Sequence, residues 1–122
     1  MNYTVEIYEK ADGSSELRNY ISLLDTRADY DKNARIQFKQ ISYAIELLTI
    51  RGTRNSSDVT KHIQDGIWEL RPGGNRILYF FFGEDKFILL HMFRKKTQKT
   101  PKREIEKAKR ERADYILRSK EV

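Results

Sequence analysis

The chain has 122 residues, of which 24 are Lys or Arg and 18 are Asp or Glu, and it contains no cysteine. This length fits one domain, which we assign to residues 1–122, and the lack of cysteine excludes disulfide frameworks and cysteine-type zinc sites. A net charge of +6 and a pI near 9.5 favour a polyanionic partner, either a nucleic acid or an acidic protein segment. The start of the chain has no signal-type segment, and no apolar run nears the ~18 residues of a membrane span, so we expect a cytoplasmic protein without a membrane partner.

The N-terminal part of the chain is typical of one strand followed by two helices. In "NYTVEIYE", Tyr3, Val5 and Ile7 alternate with polar residues, which predicts a half-buried strand. The segment 12–14 then supplies turn and N-cap chemistry. Apolar residues at helical spacing predict the two helices: Leu17, Tyr20, Ile21 and Leu24 in the first, and Ala34, Phe38, Ile41, Ile45 and Leu48 in the second.

The middle of the chain predicts a loop and then three strands. "GTRNSSDVTKHIQDG" is polar and rich in helix and strand breakers, which is typical of a loop. The strand-like runs are Ile67–Arg71, Asn75–Phe82 and Phe87–Phe93, and they are separated by the turn sequences "PGGN" and "GEDK". Both faces of these strands are apolar, so we expect an antiparallel meander covered by helices.

The C-terminal part predicts a basic helix. Thr100 can cap it, Pro101 suits its first position, and one narrow stripe along it consists of Ile105, Ala108, Arg112 and Ile116. The predicted order is therefore β-α-α-β-β-β-α, which is a single compact α+β domain.

An arginine stands on each side of the predicted "PGGN" turn. If Pro72–Asn75 form the loop, Arg71 and Arg76 are directly opposite each other, and like charges in that arrangement destabilise a sheet. Glu69, two residues before Arg71 on the same face, can neutralise part of this charge. Two interpretations stay open: both side chains are solvated, or they bind a phosphate between them through their guanidinium groups.

A basic run begins where the last predicted strand ends. From Arg94 to Arg112 it holds ten basic residues against three acidic ones, and "RKKTQK" lies before any helix begins. A basic strand end that leads into a loop is suited to following a phosphate backbone. A three-residue loop after Phe82 would put Arg94 on the face of Arg76, whereas a four-residue loop would put His91 and Phe93 there instead.

Histidines offer candidates for acid–base chemistry. His91 follows the apolar residues "ILL" and is either a core histidine or a general acid or base. His62 and Lys61 precede Trp68 in the predicted loop and can fold over the same face. With two histidines and no carboxylate pattern, we expect neither a metal site nor a cofactor. Trp68 and Tyr79 are expected in the core.

The strings "WELRPGGNRILYFFF" and "FILLHMFRKKTQKTPKREIEKAKRERADY" together carry a family resemblance. They resemble the HigB-like toxins of the RelE superfamily, in the phage-derived branch, and the likeness extends from the first strand to the last helix. The resemblance implies a RelE-like fold and the toxin of a type II toxin–antitoxin pair. It further implies a ribosome-dependent endoribonuclease that cleaves messenger RNA by attack of the ribose 2′-hydroxyl on the adjacent phosphate, without a metal.

The resemblance also implies partners. These are a helix-turn-helix antitoxin of the HigA-like type and the ribosome with its bound messenger RNA, while operator DNA is contacted only through the antitoxin. We expect a heterotetramer with the antitoxin, docked on the N-terminal helices away from the basic face.

Site residues carry over from the family by position. Arg76 matches the central phosphate-contacting arginine, Arg71 its neighbour on the preceding strand, and Arg94 with Lys95 the basic pair that closes the last strand. His91 matches a candidate proton-transfer group. Several residues remain candidates for the general base: Lys61, His62, His91, Lys95 and Lys96.

The expected RNA contacts are Lys61, His62, Lys96, Lys99, Lys102 and Arg103. The alternative function is a non-catalytic basic module or regulator that binds nucleic acid.

Overall fold

Three helices and five strands make up the fold that the structure, a computed structural model, describes for residues 2–120. The helices are α1 (Glu16–Arg27), α2 (Lys32–Arg51) and α3 (Lys102–Ser119). The strands are β1 (Thr4–Ile7), β2 (Thr60–Gln64), β3 (Ile67–Leu70), β4 (Asn75–Phe82) and β5 (Lys86–Arg94), and a 3₁₀ turn covers Gly52–Arg54. The α+β class is confirmed.

The five strands form one mixed sheet in the order β1-β5-β4-β3-β2. Strands β2 to β5 are the predicted antiparallel meander, extended by one strand, and β1 pairs parallel to β5 at the other edge. The predicted order is wrong in one respect, because the segment expected to be a loop contains β2. That strand escaped the periodicity because it lies at the edge of the sheet, where Thr60 is buried and its neighbours Lys61 and His62 are exposed.

Helices cover both faces of the sheet. On one face, α1 and α2 pack on Leu70, Ile77, Tyr79, Phe87 and Leu89. On the other face, α3 packs on a second core that contains Ile67, Leu78, Phe80, Ile88 and Leu90. Coverage on both sides explains why β4 and β5 read as continuous apolar runs without alternation.

Two aromatic residues of the core follow the prediction. Tyr79 is fully buried, its ring stacks on Trp68 with centroids 6.5 Å apart, and its hydroxyl lies 2.6 Å from the Thr60 hydroxyl. Burial raises the pKa of Tyr79 to about 12, against a smaller lowering by the Thr60 hydrogen bond. Tyr79 thus connects the edge strand β2 to the main core.

The helix starts differ from the predicted caps at two places. The N-cap of α1 is Ser15, whose hydroxyl accepts from the Arg18 amide, one residue after the predicted segment. In α3 the N-cap position is Pro101, with no side-chain cap. The predicted cap Thr100 is wrong, because its hydroxyl donates to Glu69 Oε2 at 2.7 Å across the sheet. This hydrogen bond ties the loop before α3 to β3.

A β-bulge decides which side chains of β5 share a face with Arg76. Phe82 pairs with Lys86, as a three-residue loop requires, but the register shifts between Leu78 and Tyr79. Beyond the shift His91 pairs with Leu78 and Phe93 pairs with Arg76. The loop therefore has the three residues for which we predicted Arg94 on the face of Arg76. The bulge reverses that outcome, because it puts His91 and Phe93 on the face of Arg76 and Arg94 on the opposite face.

Candidate functional site

Arg71 and Arg76 meet at the tip of the β3–β4 hairpin. The last paired residues are Leu70 and Ile77, so the same register continued by one position sets Arg71 opposite Arg76. Arg71 lies just past the end of β3, where its amide donates to the Val59 carbonyl at 2.9 Å. The predicted opposition of the two arginines is thus the arrangement at the end of the ladder.

Glu69 is the counter-ion of this pair. Its side chain is 4% exposed, and its Oε1 lies 3.1 Å from Arg71 Nε and 3.7 Å from Arg76 Nε. The second oxygen accepts from the Thr100 hydroxyl. Repulsion between the two guanidinium groups is therefore offset from inside the protein, by a carboxylate that both of them share.

The two guanidinium groups are held further by backbone oxygens. Arg76 Nη1 donates to the carbonyls of Gly73 and Asn75 at 2.9 and 2.8 Å, and Arg71 Nη1 donates to the Ser57 carbonyl at 3.0 Å. Within residues 2–120, the Nη2 atoms of both make no hydrogen bond to the protein. Burial lowers the pKa of Arg76. The positive charge of Arg71 lowers this pKa further, whereas the negative charge of Glu69 raises it. Each arginine thus keeps one nitrogen for an external acceptor.

Arg94 lies across the sheet from the other two arginines. It pairs with Asn75, and its Nη1 donates to Asn75 Oδ1 at 3.1 Å. The fully buried Asn75 in turn donates to Gln37 Oε1 at 3.1 Å, which also accepts from the Tyr20 hydroxyl at 2.8 Å. This hydrogen-bonded chain links α1, α2, β4 and β5 to one exposed guanidinium, and it sets Arg94 on the side of α1 and α2.

Gly74 makes room for Arg94 at the turn. A Cβ added at Gly74 would lie 3.0 Å from Arg94 Nη2 and 3.2 Å from its Cζ. The guanidinium therefore lies against bare backbone, and a methyl group there would push it away. A second close approach occurs at Gly73, whose φ of +60° already requires glycine.

The basic loop, residues 95–101, follows β5 and carries exposed lysines. Lys95, Lys96 and Lys99 in this loop, and Lys102 just after it, have no carboxylate oxygen of residues 2–120 within 4.0 Å. The backbone of this loop is fixed at its start, where the Lys95 amide donates to the Gly74 carbonyl at 2.9 Å. The loop therefore presents cationic charge that is not neutralised by this part of the chain.

A cavity of about 190 Å³ lies between β2 and the basic loop. Its lining includes Lys61, His62, Arg71, Lys99 and Thr100. Lys61 pairs with Glu69 across β2 and β3, which puts it on the face of the arginine pair. Of the predicted RNA contacts, Lys61, His62 and Lys99 are thus brought together beside Arg71, whereas Lys96 and Arg103 line a different cavity.

His91 lies beneath the surface rather than on it. The side chain is 3% exposed, its Nε2 is 3.0 Å from Glu104 Oε1, and its Nδ1 is 2.5 Å from Glu111 Oε1. Both glutamates belong to α3, so the ring joins β5 to that helix. This placement leaves His91 no open edge for contact with a substrate, whereas Lys61, His62, Lys95 and Lys96 are all exposed.

Several residues that hold the site were not predicted from the sequence to belong to it. Asn75, Thr100, Glu104 and Glu111 each bond a predicted site residue or its counter-ion. Asn75 had a detectable signal, because it stands directly beside Arg76 in the turn. The other three depend on how α3 and its preceding loop pack on the sheet, which periodicity does not reveal.

The predicted RNA contact Arg103 is exposed, and its Nε lies 3.7 Å from Glu104 Oε2.

Two features that residues 2–120 lack bear on the class of site. Within residues 2–120, no group of three His, Cys, Asp or Glu side chains is arranged to hold a metal ion. In the same residues, no helix combines the length and apolar character that crossing a bilayer requires.

Comparison with known proteins identifies a family. No curated protein matches the chain. The family model described as "Phage derived protein Gp49-like (DUF891)" matches residues 29–113, a stretch that begins just before α2, ends within α3 and includes every candidate site residue named above. Because this stretch is more than half of the chain, the protein belongs to the phage-derived Gp49-like family, which is a toxin-like family.

Proposed function

We propose that this protein is the toxin of a type II toxin–antitoxin pair, of the HigB-like branch of the RelE superfamily, and that it cleaves messenger RNA on the ribosome. The observation that carries the proposal is the basic end of the sheet. There, Arg71 and Arg76 share the buried Glu69, and the unneutralised Lys99 of the basic loop lines a cavity together with Arg71. Membership in a toxin-like family supports the same conclusion.

The scissile phosphate would bind at the hairpin tip. Arg71 and Arg76 each have a free Nη2, and guanidinium groups bind phosphate oxygens through paired hydrogen bonds. Because Glu69 compensates the positive charge of Arg71 and Arg76, the two guanidinium groups stay in position when no RNA is bound. They can then bind the scissile phosphate as its negative charge increases in the transition state. Donors already in position at developing charge are usually the largest contribution to such catalysis.

Arg94 would contact the RNA from the other side of the hairpin. Its position beside Gly74 puts it at the same end of the sheet as the arginine pair, although on the opposite face. An RNA backbone that passes over the hairpin tip would meet Arg76 on one side and Arg94 on the other. In this arrangement Arg94 positions the strand, and Arg71 with Arg76 stabilises the pentacoordinate phosphorane.

Proton transfer would be carried out by exposed side chains. The reaction needs a base for the 2′-hydroxyl proton and an acid for the leaving 5′-oxygen. Lys61 and His62 line the cavity next to Arg71, and Lys95 and Lys96 begin the basic loop. We assign the two roles within this set. His91, which is buried between two glutamates, is assigned instead to positioning α3.

The antitoxin would cover a different surface. On the outer side of α2, Ile36, Tyr43 and Ile50 recur every seven residues and are 44%, 62% and 46% exposed, so they form one apolar stripe. A helix-turn-helix antitoxin of the HigA-like type would bind here, in a heterotetramer that leaves the basic end of the sheet uncovered and contacts operator DNA through the antitoxin.

The experiment that tests the proposal is the substitution Arg76→Ala, with Arg35→Ala on the exposed surface of α2 as the matched control. Expression of the wild type and the control in bacteria should arrest growth and produce messenger RNA cuts in phase with codons. The Arg76 variant should lose on the order of 10²–10³-fold in cleavage, the usual cost of removing one such donor. A folded Arg76 variant that cleaves translated messages at the wild-type rate contradicts the assignment.

A second candidate function is a non-catalytic module that binds nucleic acid. The observation in its favour is the distribution of charge. The exposed lysines extend along 95–102, while the two hairpin arginines are largely occupied by Glu69 and by carbonyls. Such a module would bind RNA with a strong dependence on salt and without cuts. Mapping of RNA ends separates the two functions, because codon-phased cuts require an enzyme.

A further inference from the structure

A second cavity lies on the other side of the basic loop from Lys61 and His62. Its volume is about 450 Å³, and its lining consists of one aromatic ring, several cationic side chains and one carboxylate. The lining residues are Phe93, Arg94, Lys96, Thr97, Pro101, Arg103 and Glu104. None of the roles proposed above uses this cavity as a whole, and it has the size of a small-molecule site.

Phe93 gives the cavity an apolar surface beside the arginine pair. It pairs directly with Arg76 across β4 and β5, so the two side chains leave the same face of the sheet. The ring is half-buried, and its centroid lies 6.2 Å from that of His91. A flat group on Phe93 would therefore lie next to a phosphate at Arg76, as the base of a nucleotide lies next to its phosphate.

Glu104 adds an acceptor that is fixed in direction. Its Oε1 is 3.0 Å from His91 Nε2, and its Oε2 lies 3.7 Å from Arg103 Nε. The carboxylate is 16% exposed and has further lone pairs, so it can accept hydrogen bonds from a ligand in the cavity. His91 thus acts indirectly, by holding the carboxylate in place from beneath.

We propose that this cavity binds one nucleobase of the RNA, stacked on Phe93 and selected by Glu104, a role that rests on the proposed function. Bases stack on aromatic side chains in single-strand recognition, and the cationic rim suits the flanking phosphates. Guanine is the base best matched to the carboxylate, because its N1–H and N2–H donors are adjacent. Uracil is the worst matched, because its N3–H lies between two carbonyl oxygens that the carboxylate would repel.

The test uses the full chain in solution and the probes 5′-GMP, 5′-UMP and inorganic phosphate, followed by the amide signals in nuclear magnetic resonance spectra. We expect 5′-GMP to shift the signals of Phe93, Thr97 and Glu104, with a smaller effect of 5′-UMP. Phosphate alone should leave Glu104 unshifted. A 5′-GMP pattern that phosphate reproduces would mean a site for anions only, and it would overturn the proposal.

Two variants with matched controls identify the contacts. Phe93→Leu keeps apolar volume in the core but removes the ring, and we expect roughly tenfold weaker binding of 5′-GMP, as loss of one stacking contact predicts. Phe81→Leu, an exposed ring on the opposite face of the sheet, is its control. Glu104→Gln retains an oxygen for His91 but loses the charge, and its control is Glu106→Gln. It should bring the affinities for 5′-GMP and 5′-UMP close together.

The outcomes separate this inference from the proposed function. Wild-type binding of 5′-GMP that Phe93→Leu does not weaken overturns the stacking site, and an unchanged preference in Glu104→Gln overturns the selection by the carboxylate. Neither result depends on cleavage, since no ribosome is present. If the Arg76 experiment shows codon-phased cleavage and the cavity does not bind 5′-GMP, the base site alone is wrong.

Discussion

Replacing Glu69 tests whether one buried carboxylate holds the two hairpin arginines together. In Glu69→Ala, Arg71 and Arg76 lose their shared counter-ion, and the Thr100 hydroxyl loses its acceptor. The expected result is a marked loss of stability that begins at the hairpin tip and at the basic loop. The fold as a whole should survive, since the two cores on either side of the sheet do not include Glu69.

The magnitude follows from how deeply the three side chains are buried. Removing one partner of a buried ion pair typically costs about 3–5 kcal/mol. Glu69 is 4% exposed, but Arg71 and Arg76 are 24% and 11% exposed, and part of their charge is therefore returned to water. We accordingly expect about 3 kcal/mol for Glu69→Ala, at the low end of that range. Glu69→Gln keeps an acceptor for Thr100 and should cost roughly 1–2 kcal/mol.

The assay is urea unfolding of both variants, with and without sulfate at constant ionic strength. Without the carboxylate, the two guanidinium groups become a site for an external anion, so sulfate should stabilise Glu69→Gln more than it stabilises the wild type. Glu46→Gln, an exposed glutamate of α2, is the control for the loss of a carboxylate elsewhere.

Two results would refute the reasoning. A cost below about 1 kcal/mol for Glu69→Ala would mean that the arginines are solvated and do not depend on the carboxylate, since exposed pairs contribute no more than this. An equal effect of sulfate on the wild type and on Glu69→Gln would mean that the hairpin tip does not gather the two guanidinium groups around one anion.

Two further predictions concern the turn and the core. Gly74→Ala should displace the Arg94 guanidinium, because the new Cβ would lie 3.0 Å from Arg94 Nη2. We expect this variant to cleave RNA several-fold more slowly, with the midpoint of unfolding little changed. Cleavage equal to that of the wild type would show that Arg94 does not position the strand. For Tyr79, burial raises the pKa from 10.0 to about 12, so the hydroxyl favours the folded state below pH 10, and this contribution is lost as the pH rises from 10 to 12. Alkaline unfolding of Tyr79→Phe should therefore lack part of the decline in stability that the wild type shows over that range, and identical pH profiles would contradict the burial argument.

Most helices and strands of this protein could be predicted from local patterns. The stripes in α1 and α2, the turn residues of both hairpins and the three apolar strands of the sheet each leave a signal within a dozen residues. The strand β2 was missed because an edge strand buries one side chain, Thr60, and exposes polar neighbours. Such a segment does not differ in composition from a surface loop.

The candidate site was predicted in part, and the part that failed depends on register. Arg71 and Arg76 could be matched because only four residues separate them, and a short turn leaves little freedom in how its flanking residues pair. The facing of Arg94 could not be predicted, since seventeen residues and a bulge lie between it and Arg76. One inserted residue reverses every later side chain of β5, and nothing in the local pattern of "FILLHMFR" marks the insertion.

By itself, therefore, the sequence determined the elements, the basic charge and the opposition of two arginines at one turn, because each of these arises from residues that are neighbours along the chain. Only the tertiary structure decided that Thr100 donates to Glu69, that His91 is enclosed by two glutamates of α3, and that Arg94 points to the opposite face. These contacts join residues far apart in the chain, and their geometry depends on how the sheet and α3 pack together, which a one-dimensional pattern does not contain.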